Sequence, residues 1–203
     1  MRASGGTVYA EDLKSLVRKD LWVRIPPRPF MSNVNGMRDE ILDLVDEQDR
    51  VIGVMPRSEV YAKDMHNVRV VNLFIKNSKG ELWIPRRTAD KRNFPLALDM
   101  SMGGHVESGE TYEETFRREL REELNMDADA VPCRYLGYLT PHTHDVHAFM
   151  KMWEIQQDEA PQYNPDDFVE YFWLTPAALL QRLAKGEKSK SDLPKLVSIF
   201  YGE

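Results

Sequence analysis

A single cysteine in 203 residues, Cys133, leaves nothing for an intrachain disulfide to pair with, so packing and hydrogen bonding must hold the fold. Ten methionines would be exposed to oxidative damage outside a reducing compartment, and a cytoplasmic location is expected. Long apolar runs are also missing. Val70-Val71 and Leu73-Phe74-Ile75 are separated by Asn72, far short of the ~20 residues that cross a bilayer. The opening stretch carries Arg2, Glu11, Asp12, Lys14, Arg18, Lys19 and Asp20, with no continuous apolar segment of the export type. A basic excess is absent too: 27 Lys and Arg against 33 Asp and Glu give a formal charge of −6. Duplex nucleic acid rewards the opposite sign, so neither it nor a membrane is an expected partner.

What remains is an ordinary globular composition, 42% hydrophobic and 30% charged. At this length folding removes roughly 70% of the unfolded surface from water, enough for one sizeable core. Leu13, Leu16, Val17 and Leu21 recur at helical spacing ahead of Ile25-Pro26-Pro27-Arg28-Pro29. Residues 1–37 are therefore expected to form an arm of short helix and Pro-rich linker, open to a role in a homodimer contact. Residues 38–203 then make one domain. Within it, 41–45 with 51–55 and 68–76 with 81–86 read as hairpins, the second around Asn77-Ser78-Lys79-Gly80. A helical turn is expected over 57–64. Further strands are expected at 134–140, 146–155 and 170–174, and helices from Pro176 and over 191–201. Strands with one central helix and a helical ending, without a repeat, imply an α/β or α+β layered domain.

The chemistry concentrates between Gly103 and Met126. Thr111 and Glu114 have the spacing of a capping box, so a helix should start at Tyr112. Gly103, Gly104 and Gly109 are expected to let the preceding chain turn tightly. On that helix Phe116, Leu120 and Leu124 form one stripe, and Glu119, Glu122 and Glu123 lie on the adjoining arc. Each like-charged pair at i, i+4 costs on the order of 0.2–0.5 kcal/mol, a penalty that a divalent cation removes. An oxygen-only donor set with a lone cysteine points to Mg²⁺ or Mn²⁺ rather than zinc, hence to phosphate chemistry. The bland alternative is a solvated helix laced by Glu113–Arg117, Glu114–Arg118 and Arg118–Glu122 pairs.

Gly104, Glu110, Arg118, Glu119, Leu120, Glu122, Glu123 and Met126 match, in register, eight of the nine defined positions of the Nudix box, G-x5-E-x7-R-E-U-x-E-E-x-G-U, with U a bulky aliphatic residue. The chain thus resembles the Nudix hydrolases. Asn125 stands where the box has glycine; asparagine is the next most tolerant residue in the left-handed region. The resemblance implies an α/β/α sandwich with a mixed central sheet and hydrolysis of a diphosphate linkage in a small molecule. It implies metal binding by Glu119, Glu122 and Glu123 with the Gly103 or Gly104 carbonyl as a further oxygen, Arg118 orienting Glu119, and Glu110 steadying the turn into the helix. Glu119 and Asp167 are candidates for the general base, followed by Asp166 and Glu170.

The Asp46-to-Ile52 hairpin, Phe74-Ile75-Lys76-Asn77-Ser78-Lys79-Gly80-Glu81-Leu82 with Arg86-Arg87, and Gly104-His105 make the stretch from residue 38 to about 200 similar to the isopentenyl-diphosphate isomerase branch of the family. The isomerases carry a cysteine before Gly-His, where this chain has Gly103, so a carbon acid/base is missing. An isomerase-like enzyme and a non-catalytic nucleotide-binding module remain the alternatives. Arg86, Arg87, Lys91 and Arg92 are expected near the box loop, and Arg86, Arg87, Lys91 and His105 are the candidate substrate contacts. Trp83, Tyr138, Trp153 and Trp173 are candidates for stacking a base or for filling core and rim. His142, His144 and His147 read as loop and strand start rather than a metal cluster, with His142 and His144 candidates to line a cleft.

Overall fold

A computed structural model describes residues 33–34 and 37–202. The helix expected over 10–21 and the proline cluster after it lie outside the described residues. The chain divides between Arg38 and Asp39. In the first unit β1 (Asn33–Val34) pairs antiparallel with β2 (Met37–Arg38).

The second unit opens with an antiparallel hairpin of β3 (Ile41–Val45) and β4 (Val51–Pro56), followed by the short α1 (Arg57–Ala62). The sheet of the fold is built around β5 (Arg69–Lys76). On one side β5 pairs parallel with β9 (Phe149–Gln156), which carries β8 (Cys133–Leu139) antiparallel beyond it. On the other side it meets β7 (Met102–His105) and, at its far end, β6 (Leu82–Arg87), which pairs with β10 (Phe168–Leu174). The sheet is therefore mixed, as expected.

Alternation along β5 explains its apolar run. Val71, Leu73 and Ile75 pack with Phe116, Leu120 and Leu124 of α2 (Tyr112–Leu124), while Phe74 joins Leu179 of α4 (Pro176–Ala184) and Leu193, Leu196 and Val197 of α5 (Leu193–Tyr201). A strand covered on both faces loses the polar alternation of a solvated one. Helices on opposite faces make the α/β/α sandwich.

Two local expectations fail. Gly103 and Gly104 do not turn; they lie in β7, extended against Val71 and Asn72. Their smallness is needed because a Cβ at Gly103 would stand 2.5 Å from Asn72 Oδ1, and one at Gly104 only 1.9 Å from Glu119 Oε1. The turn is made at Gly109, with φ +87°. The second failure is at 141–144, a helical turn, α3 (Pro141–His144), rather than loop and strand start. β9 consequently begins only at Phe149. The turn also separates the histidines: His144 Nδ1 accepts from Thr140 N at 3.1 Å, His142 rests on Phe149, and His147 stacks on His66 and meets Asp192.

Candidate active site

The helix that carries the acids starts where the capping box places it. Thr111 Oγ1 accepts from Glu114 N at 3.2 Å and Glu114 Oε2 accepts from Thr111 N at 2.8 Å. Asn125 ends the helix in the left-handed region, φ 51° and ψ 33°. Of the pairs that would make a solvated helix, only Arg118–Glu122 forms, at 3.2 Å. Glu113 binds Lys151, Arg117 binds Asp129, and Glu114 is occupied by the cap.

Arg118 is a hub. Its Nε and Nη2 donate to the two oxygens of Glu110 at 3.0 and 2.9 Å, Nη2 also reaches the His105 carbonyl at 3.2 Å, and Nη1 donates to Glu119 at 2.7 Å and Glu122 at 3.2 Å. Such charge-assisted forks fix orientation as well as charge. Burial opposes the ionisation of Glu110, but Arg118 and Thr115 hold its carboxyl below the usual range.

The three box acids differ in environment. Glu122 is exposed, whereas Glu119 and Glu123 are enclosed. Burial pushes Glu119 up to about 7 against the pull of Arg118, with Glu122 and Glu40 adding to the rise. Glu123 is pushed well above the carboxylate range, first by burial, then by the charges of Glu119, Asp99 and Asp167, with Lys190 opposing. Gly103 N donates to Glu123 Oε2 at 3.2 Å. Among the described residues no three His, Cys, Asp or Glu side chains already form a ready-made cage; the Arg118 guanidinium lies between Glu119 and Glu122. The donor set nonetheless suits a hard divalent ion: all oxygen, with two enclosed acids that resist ionising together until a countercharge arrives.

The cationic residues divide. Arg86 is engaged by Glu170 at 2.5 Å and Glu187 at 2.8 Å and ties β6 to β10 and the 187 loop. Arg87 is buried, its Nη1 donating to Asp99 Oδ2 at 2.7 Å. Lys91 pairs with Asp167. Asp167 itself is held by Thr88 N, which donates to its carbonyl at 3.1 Å, and its loop is fastened to α2 by Asn164 N donating to the Glu123 carbonyl at 2.7 Å. His105 is half-buried, with Nε2 3.4 Å from the Tyr61 hydroxyl; burial, then Arg57 and Lys190, keeps its imidazole well below the ordinary value and thus neutral at pH 7. Trp83 and Trp153 are core residues, and Tyr138 donates to Asp49 at 2.9 Å.

Sequence reasoning passed over Asp99 and Lys190. Asp99, only 2% exposed, takes Arg87 on one oxygen and has Lys190 at 3.3 Å from the other. Its one signal was an acid inside the apolar run Leu98–Met102. Lys190, in a lysine-rich stretch, offered none.

The NUDIX domain family model matches residues 65–195. An uncharacterized Nudix hydrolase of Nostoc sp. is 60% identical over 162 residues, covering 80% of this chain and 96% of that protein. The crystal structure of DR0079 from Deinococcus radiodurans superposes with a TM-score of 0.77 at 50% identity, over 80% of this chain and 99% of that one. An isopentenyl-diphosphate Delta-isomerase of Klebsiella pneumoniae is 28% identical over 158 residues, covering 73% of this chain and 83% of its own. With the box, its helix and the sandwich around them in place, this chain belongs to the Nudix hydrolase family.

Proposed function

We propose that the chain hydrolyses a diphosphate linkage in a nucleoside di- or triphosphate, or in a nucleoside diphosphate derivative, with Mg²⁺ or Mn²⁺ as cofactor. The observation that carries the reading is the pair of enclosed carboxylates, Glu119 and Glu123, on one helix edge with Arg118 locked beside them. Glu119, Glu122, Glu123 and the Gly103 carbonyl would hold the metal. Bound there, it would offset phosphate charge and acidify a water.

The chain's own groups supply the rest. Arg118 fixes the Glu119 carboxylate from one side, which limits where its free oxygen can act. Asp167 and Glu119 are the proton acceptors: water yields a proton to one of them as its oxygen attacks phosphorus, and the bridging P–O bond breaks toward the departing phosphate. Arg87, Lys91 and His105 lie on the substrate side; Lys91 would exchange Asp167 for a phosphate oxygen. Arg86, between two carboxylates, acts there by holding the strand end that presents Arg87.

An isomerase reading finds less support, because Gly103 leaves no thiol to protonate carbon. The test is a panel of diphosphates assayed with and without Mg²⁺. Metal-dependent release of phosphate or pyrophosphate supports the proposal. A rearranged prenyl diphosphate with its phosphorus intact would overturn it, as would binding without turnover across the panel.

A further inference from the structure

The cluster of Arg87, Asp99 and Lys190 has a charge imbalance that the fold does not use. Two cations share one buried acid. Arg87 Nη1 donates to Asp99 Oδ2 at 2.7 Å, while Asp99 Oδ1 accepts from Met100 N at 2.8 Å and has Lys190 Nζ 3.3 Å away. The Arg87 Nε is buried and has no hydrogen-bond partner in the structure. A buried donor without an acceptor costs stability unless something completes it.

Lys190 is held at this place by its backbone. Leu98 N donates to the Lys188 carbonyl at 2.8 Å and Lys190 N to the Leu98 carbonyl at 2.9 Å, so residues 188–190 run beside the segment that carries Asp99. That segment is in turn fastened to β6, with Asp99 N donating to the Pro85 carbonyl at 3.0 Å and Arg87 N to the Ala97 carbonyl at 3.0 Å. The Lys190 side chain is 24% exposed, open enough to meet a ligand. Thr88 N, beside Arg87, donates to the Asp167 carbonyl at 3.1 Å, so the strand end that holds this cluster is tied to the loop of Asp167.

We infer that Lys190, positioned by Asp99, is a further substrate-binding residue that joins Arg87 in taking up a phosphate group of the diphosphate. This rests on the reading of the site as a diphosphate hydrolase. Asp99 is the positioning residue: it keeps side by side two cations that would otherwise repel, and within this triad one cation is left without an acid of its own. Lysine suits the role because its ammonium has three donors and can keep Asp99 while adding a phosphate oxygen.

The experiment is titration of the full chain with imidodiphosphate, a non-hydrolysable diphosphate, in the presence of Mn²⁺. Lys190→Met should weaken binding about ten- to hundredfold, the loss of one charge-assisted contact, and Lys190→Arg should recover most of it. In steady state the effect should fall on KM more than on kcat, with the melting temperature held. Equal imidodiphosphate affinity in wild type and Lys190→Met would overturn the inference and leave the hydrolase reading standing. A wild-type protein that binds no imidodiphosphate with or without Mn²⁺ would likewise overturn the inference, the diphosphate panel testing the hydrolase reading separately. If Lys190→Met melts early, Lys190→Arg and Lys190→Gln decide: tighter binding in Arg than in Gln supports the role, equal binding ends it.

Discussion

Arg118 meets Glu110, Glu119 and Glu122 from no more than eight residues away, whereas Arg87 and Asp99 are twelve apart and Lys91 and Asp167 seventy-six. The acidic side of the site is one loop and one helix. The cationic side is gathered from β6, the segment before β7, the loop before β10 and the chain at 188–190. A helix with its own caps delivers its side chains in fixed relation, so the acidic side depends little on the rest of the fold. The cationic side exists only when the sheet is complete. Perturbing one side and then the other separates chemistry from assembly.

The largest effect is expected from Glu123→Gln. It removes an enclosed acid whose ionisation burial already opposes, and keeps its shape. Hydrolysis should fall by on the order of a hundredfold or more, while the melting temperature at pH 8 holds or rises. Undiminished turnover in this variant would break the acidic side as the chemical half. Gly104→Ala should come next, since the new methyl would sit 1.9 Å from Glu119 Oε1. Either β7 or Glu119 must yield, at a cost of about 1–3 kcal/mol, with kcat lowered roughly tenfold as Glu119 leaves its place. A crystal structure of the variant with both β7 and Glu119 unmoved, or an unchanged kcat, would contradict this.

A smaller effect concerns pH and metal together. Glu119 sits at about 7 rather than the usual 4.5, so between those values the folded chain holds a proton that the unfolded chain releases. The associated stability is complete at acid pH and is lost as pH rises through 7. The metal-free protein should therefore melt lower at pH 8 than at pH 5.5, by a few degrees on the scale of about 2–4 °C per kcal/mol. Mg²⁺ should restore the difference, because it favours the ionised acids. Calorimetric scans at both pH values, with EDTA and with Mg²⁺, test the sign; an equal Mg²⁺ effect at both would show that the acids are not its ligands.

The same division marks what could be read from sequence. The helix from Tyr112 to Leu124, its cap and its buried stripe follow from spacing, because each depends on contacts within a few residues. The sandwich follows from the resemblance and from β5, whose apolar run, interrupted only by Asn72, requires cover on both faces. Gly103-Gly104 misled because glycine marks a turn as readily as a close approach, and only the position of Glu119 across from Gly104 tells which. Asp99 and Lys190 could not be paired in advance, since no local pattern relates a residue before β7 to one at 190. Likewise, Arg86 and Arg87 are adjacent in sequence and differ only in which acids the finished sheet brings to them.

Asn125, the one departure from the box, links the two sides and gives the smallest prediction. Its φ of 51° is cheaper for glycine, so Asn125→Gly relieves at most about 1 kcal/mol of left-handed strain. The asparagine, however, donates from Nδ2 to the Gln162 carbonyl at 2.6 Å, a bond that glycine cannot make and whose net worth is about 0.5–1.5 kcal/mol. The two nearly cancel, and stability should change by less than about 1 kcal/mol. Turnover need not follow stability. Gln162 begins the stretch that carries Asp167, and a second hydrogen bond to α2 runs from Asn164 N to the Glu123 carbonyl. Loosening one of these fastenings should lower kcat a few-fold if Asp167 accepts the proton, and leave it unchanged if Glu119 does. Measured kcat in Asn125→Gly, beside that in Asp167→Asn, therefore assigns the base.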